Sequence, residues 1–148
     1  MTADATPPSA LSFSTTESPA QADLEAVDAG LDDYNETTVP LDGVRQLAAF
    51  ATDAEGRLAG GAVGRTWGRC CELLQLWVDE RHRHAGVGSR LMHDFEAGAR
   101  TRGCSVFYLT TMSFQAPVFY RRHGYDVLAR IDGYPDGIVK YLMHKQVP

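Results

Sequence analysis

Between Leu76 and Ser89 the chain reads Leu-Trp-Val-Asp-Glu-Arg-His-Arg-His-Ala-Gly-Val-Gly-Ser, and no other stretch restricts the fold as strongly. Apolar residues ending at Val78 read as a strand and a basic loop follows. Val87, Leu91 and Phe95 then recur at four-residue intervals, so the spacing predicts a helix over 87–102 that Gly103 stops. A strand that turns through glycines into a helix leaves several backbone N–H groups facing one small space, at the positive end of the helix dipole. Those donors suit an anion of the phosphate type, and Gly86 and Gly88 let it approach the backbone closely. Arg81 and Arg83 add positive charge. The same glycines could also serve a plain packing turn. The third glycine of a dinucleotide fold is missing, as is the Gly-Lys-Ser/Thr of a nucleotide triphosphate loop, which removes both of those readings.

The surrounding pattern is that of one α/β domain over residues 10–148. Residues 1–9, small and polar with Pro7 and Pro8, read as a flexible tail. Leu11 and Phe13 alternate with serines as a short first strand. Ser18-Pro19 opens a helix carrying Leu24, Val27 and Leu31 to about Tyr34, and a turn or short helix follows near residues 40–45. Strands are expected over 46–52, 58–66 and 70–78, the first two joined by the hairpin connection Asp53-Ala54-Glu55-Gly56. After the long helix come a strand over 105–111, a helix capped by Ser113 and ended by Gly124, and two strands over 125–131 and 138–144.

Charge is divided unevenly within the net of −5: residues 1–80 carry −10 and residues 81–148 carry +5. This is the pattern of a bipolar cleft or of scattered surface charge. Overall acidity argues against a nucleic-acid partner despite Arg81, Arg83, Arg121 and Arg122, and no apolar run is long enough for a membrane span. The first twenty residues lack a secretory signal, so the expected compartment is the cytoplasm. Cys70, Cys71 and Cys104 have no metal-ligand spacing. His82 and His84 lie among arginines that would repel a cation, so no metal is expected.

Two motifs together resemble the GNAT N-acetyltransferase superfamily. The first is Val-x4-Arg-x2-Gly-x-Gly from Val78 to Gly88, similar to that superfamily's pyrophosphate motif. The second is Ser113-Phe-Gln-Ala-Pro-Val-Phe-Tyr-Arg-Arg-His-Gly-Tyr125, similar to its helix ending in Phe-Tyr before a glycine and an aromatic strand start. The resemblance spans about residues 10–145. It implies a mixed, mostly antiparallel sheet flanked by helices and splayed between the fourth and fifth strands, with acetyl-CoA as cosubstrate. By the same match, main-chain groups of Leu76, Trp77 and Val78 hold the pantetheine amides, and Arg83, His84, Ala85, Gly86, Val87, Gly88 and Ser89 wrap the pyrophosphate. A dimer through the late strands is common for such proteins. Three departures stand out: His84 replaces the usual glycine, Ser113 stands where many members have an asparagine near the cofactor, and Ile138 replaces a frequent histidine.

The implied reaction is transfer of an acetyl group from acetyl-CoA directly to an amine of a small molecule or protein. It needs a neutral amine, a polarised carbonyl and a proton for the departing thiolate. Tyr120 resembles the family's phenol near the thiol, and at a pKa of ~10 it holds a proton to give; the alternative is a packed Phe119-Tyr120 pair. The Val78 N–H is the oxyanion donor that the resemblance implies. Glu72, in the strand before the motif, is the candidate base, unless it merely partners an arginine or water takes the proton. Cys104 has no histidine partner in view for a covalent route. Asp32, Asp33 and Glu36 read as a solvated face or as a lure for a cationic amine. The competing class is a CoA-binding sensor or interaction module without turnover.

Overall fold

A computed structural model describes residues 10–148; the tail expected over residues 1–9 lies outside the described residues. The described residues divide into two compact units, 10–41 and 42–148. Within the first, helix α1 (Gln21–Thr38) begins two residues after Pro19, and its Leu24, Val27 and Leu31 are all exposed. The strand expected at Leu11 and Phe13 does not form: these residues are 78% and 89% exposed and belong to no strand. Two apolar residues among serines carry too little surface to hold a ladder together.

The second unit is built on six strands: β1 (Arg45–Thr52), β2 (Leu58–Trp67), β3 (Cys70–Val78), β4 (Val106–Met112), β5 (Asp126–Ile131) and β6 (Lys140–Gln146), in the order β1-β2-β3-β4-β6-β5. Only β3 and β4 run parallel, joined by a crossover through helix α2 (Val87–Thr101); the other four pairings are antiparallel. Helix α2 lays Leu91, Met92, Phe95 and Ala99 on a core of Ala62, Cys71, Leu73, Phe107, Leu109 and Met143. Of these, the helical spacing in the sequence marks Leu91 and Phe95, because the helix buries one face.

Two backbone features open the sheet. The β3–β4 ladder runs only from Cys70–Val106 to Leu73–Leu109, and beyond it the two strands part. These are the fourth and fifth strands of the expected count, numbered third and fourth because the strand at Leu11 and Phe13 does not form. Beside the splay, the β2–β3 register slips between Val63–Gln75 and Gly64–Leu73, making Leu74 an extra residue that bulges β3. Gly64 sits opposite the bulge, where a Cβ would strike the Glu72 carbonyl and come within 2.8 Å of the Phe95 ring. Gly64→Ala is therefore expected to lower stability by about 1–3 kcal/mol, read from the urea midpoint.

The second helix of this unit, α3 (Pro117–Arg122), is shorter than the sequence pattern indicates, and Ser113 does not cap it. Proline at the first helical position restricts Ala116, which takes φ −140°, ψ 43° outside the helix. Ser113 instead bridges two strand ends: its N–H donates to the Val139 carbonyl (2.8 Å) and its Oγ accepts from the Val139 N–H (3.0 Å). That bridge, with the turn at Pro135–Gly137, moves the last strand two residues later than expected.

Candidate active site

A cavity of about 1110 Å³ opens where β3 and β4 part. Its walls are the end of β3 with the loop into α2, the first turn of α2, Thr110 and Thr111 of β4, and α3 with Tyr120. Among the residues singled out from the sequence, Leu76, Trp77, Val78, Arg83, His84, Gly86, Val87, Gly88, Ser89 and Tyr120 all line it. Ala85, Glu72 and Ser113 do not.

The loop's geometry follows from its residues. Asp79 begins a 3-10 turn over Glu80–His82, accepting from the Arg81 N–H (2.9 Å) and pairing with the Arg81 guanidinium (2.9 Å), which holds the Asp79 carboxyl down at about 2. Arg81 is thereby committed to Asp79, leaving Arg83 as the arginine on the cavity. Arg83 Nε donates to the Val78 carbonyl (3.0 Å), folding the loop back across the strand end. His84 is in the left-handed region (φ 62°), and so is Gly86 (φ 79°). Only the second position has the residue that adopts this conformation freely, so His84 carries backbone strain of about 1 kcal/mol. The first intrahelical bond of α2 is Arg90 N–H to the Gly86 carbonyl, and no side chain caps the helix. The Val87, Gly88 and Ser89 N–H groups therefore lack intrahelical partners at the positive end of a 15-residue helix, the electrostatics an anion requires.

The open edge of β3 supplies the next donors. Asp79 N–H donates to the Ala59 carbonyl of β2 (2.8 Å), and successive N–H groups of a strand point to opposite sides. The Val78 N–H, and Leu76 two residues before it, thus turn away from β2 toward the side where the β3–β4 ladder has stopped. Tyr120 is 8% exposed on the other wall, edge-on to Phe119 (5.4 Å between centroids) and to Tyr125 (6.1 Å). Burial pushes its phenol above the usual value, so it is protonated at neutral pH.

Glu72 is engaged elsewhere. Its carboxylate accepts from Arg65 Nε (3.0 Å) and Nη2 (2.9 Å), and from the Tyr108 hydroxyl (3.2 Å). It stands between Cys71 and Leu73, whose side chains enter the core with α2, so alternation sends its own to the opposite face of the sheet. The Cys104 thiol donates to the Cys70 carbonyl (3.5 Å) and burial raises its pKa, while burial pushes the Cys71 thiol up to about 12. Neither is a ready thiolate.

Against this geometry, the family model described as Acetyltransferase (GNAT) family matches residues 15–125. The chain belongs to the GNAT acetyltransferase family. Among curated GNAT relatives, blasticidin-S acetyltransferase of Streptomyces morookaense is 43% identical over 112 residues, covering 73% of this chain and 82% of that protein. A solved acetyltransferase from Bacillus cereus superposes with a TM-score of 0.75 at 28% identity, over 90% of this chain and 98% of that one. A structure from Agrobacterium tumefaciens reaches 0.82 over 93% and 100%, and at 24% identity it bears on the fold alone. This GNAT protein is an acetyl-CoA-dependent N-acetyltransferase. Among its described residues no helix is long and apolar enough to cross a membrane.

Other residues of the GNAT cleft were given no role from the sequence, Gln115 within the second motif among them. Gln115 lines it with Oε1 accepting from the Met112 N–H (2.8 Å) and the Thr111 hydroxyl (3.3 Å), which fixes the turn into α3. Phe50, Leu58, Val63 and Leu74 add an apolar wall. The β alternation of 46–52 and 58–66 could have marked two faces, but not which face meets a ligand.

Proposed function

We propose that the protein acetylates blasticidin S or a similarly small amine-bearing compound, by direct transfer within the splayed cleft. The observation that carries this reading is that one cavity joins the uncapped N-terminus of α2, the open edge of β3 and the Tyr120 side chain. The pyrophosphate of acetyl-CoA seats on the Arg83–Ser89 turn, and its pantetheine arm lies along Leu76–Val78 with the thioester carbonyl toward the Val78 N–H. The neutral amine nitrogen attacks the thioester carbon. A C–N bond forms, the C–S bond breaks with its electron pair on sulfur, and Tyr120 donates its phenolic proton to the thiolate. The proton shed by the amine leaves through water, which then restores Tyr120. We assign no base role to Glu72, since Arg65 and Tyr108 occupy its carboxylate, and assign Ser113 to joining strand ends. The acceptor class rests on the 43% identity to blasticidin-S acetyltransferase.

The test is thiol release from acetyl-CoA with blasticidin S as acceptor, beside panels of polyamines, aminoglycosides and peptide N-termini. Release matched by N-acetylated blasticidin S in the mass spectrum is the expected result. Release only with another amine class overturns the acceptor. Saturable binding of CoA with no release from any amine would replace the enzyme reading with a sensing or interaction module.

A further inference from the structure

The first turn of α2 is tied to the end of α3 by side chains that the transfer chemistry does not use. Ser89, third residue of α2, lines the cleft, and its Oγ lies 3.1 Å from Nε2 of His123, the residue that closes α3. The His123 ring packs 4.6 Å from the Phe119 ring, and Phe119 lies 3.5 Å from where a Cβ on Gly88 would be. A side-chain carbon at position 88 would make only ordinary contact there, so α3 rests directly against the α2 turn. The His123 backbone is held as well: its N–H donates to the Tyr120 carbonyl (3.0 Å) and its carbonyl accepts from Lys145 Nζ (2.9 Å). Lys145 is in turn paired with Glu96, also on α2. The circuit from Glu96 through Lys145 and His123 to Ser89 starts and ends on the helix whose N-terminus faces the cleft.

A hydroxyl beside an anion has two settings. If Ser89 donates to Nε2, its oxygen presents only lone pairs to the ligand, which repel a diphosphate. If Nε2–H donates to Ser89 Oγ, the hydroxyl hydrogen is free to donate to a phosphate oxygen. We propose that His123 is a positioning residue for the cofactor, its Nε2–H holding Ser89 Oγ so that the Ser89 hydroxyl donates to the diphosphate of acetyl-CoA. Burial lowers the His123 pKa, which keeps the ring neutral at physiological pH and lets the bound anion select this tautomer. The inference rests on the diphosphate seat proposed above.

Steady-state kinetics on the full chain with acetyl-CoA and with S-acetylpantetheine, which lacks the diphosphate, tests it. His123→Ala and Ser89→Ala are each expected to raise KM for acetyl-CoA about tenfold with kcat within about twofold, the scale of one hydrogen bond to a charged group. The double variant should be no worse than either single, because one interaction is lost in all three. His123→Gln, whose amide nitrogen reaches the Nε2 position, should restore KM, and kcat/KM for S-acetylpantetheine should not move in His123→Ala. An unchanged KM for acetyl-CoA in His123→Ala, effects that multiply in the double variant, or an equal loss with S-acetylpantetheine overturns the positioning role. Wild-type protein that does not distinguish the two thioesters would overturn the diphosphate seat itself.

Discussion

Tyr120→Phe is expected to lower kcat about a hundredfold while KM for acetyl-CoA changes by less than about threefold. In the proposed reaction the phenol contributes one proton to the departing sulfur, whereas the ring contributes packing that phenylalanine retains: the edge-on contacts with Phe119 and Tyr125 involve no hydroxyl. The substitution therefore separates acid from filler, and its thermal midpoint should stay within about 3 °C of wild type. The pH profile gives a second reading. Burial raises the Tyr120 pKa, so the acid form persists at least to its unperturbed value of ~10, and kcat should show no alkaline decline from this group below that pH. The linkage runs the same way: a raised folded pKa contributes stability that is fully present below ~10 and is lost as pH climbs through the folded value. A Tyr120→Phe enzyme with unchanged kcat would leave the residue as a packed aromatic.

Lys145→Met is expected to cost about 3–5 kcal/mol of stability, or a fall of about 10 °C in the melting midpoint. Glu96 is only 6% exposed and its carboxylate is paired with Lys145, whose Nζ also donates to the His123 carbonyl and lies 5.1 Å from the Tyr125 ring centroid. Removing the ammonium strands a buried carboxylate, and that desolvated charge is the source of the loss. Glu96→Leu combined with Lys145→Met should recover most of it, because an apolar pair needs no solvation. Differential scanning calorimetry of the single and double variants decides the matter; a double variant as unstable as the single would mean that the Lys145 stem, rather than the stranded charge, is what matters.

The elements legible in the sequence are those set by local spacing. Val87, Leu91 and Phe95 mark α2 to within a residue of its observed end, and Gly103 stops it in the left-handed region (φ 86°). The strand over 70–78 matches residue for residue, because alternation and a turn at each end delimit it. The misplaced elements depended on partners. Leu11 and Phe13 alternate as a strand would, yet no ladder forms there. Ser113 precedes α3 as a cap would, but Pro117 starts the helix later and Val139 claims the hydroxyl. Glu72 sits in the strand leading to the motif, but the pleat turns it to Arg65 and Tyr108.

By itself the sequence determined that a strand, a basic glycine turn and an amphipathic helix succeed one another, and that an aromatic helix follows; its two motifs were enough to point to the family. The tertiary structure alone decided where the sheet opens, at Leu73–Leu109, and which side chains meet, such as Ser89 with His123, 34 residues apart. The division has a physical cause. Turns and helix faces are set by contacts a few residues away, whereas a splay, a bulge or a hydrogen bond between helices depends on the register of segments joined only through the folded core.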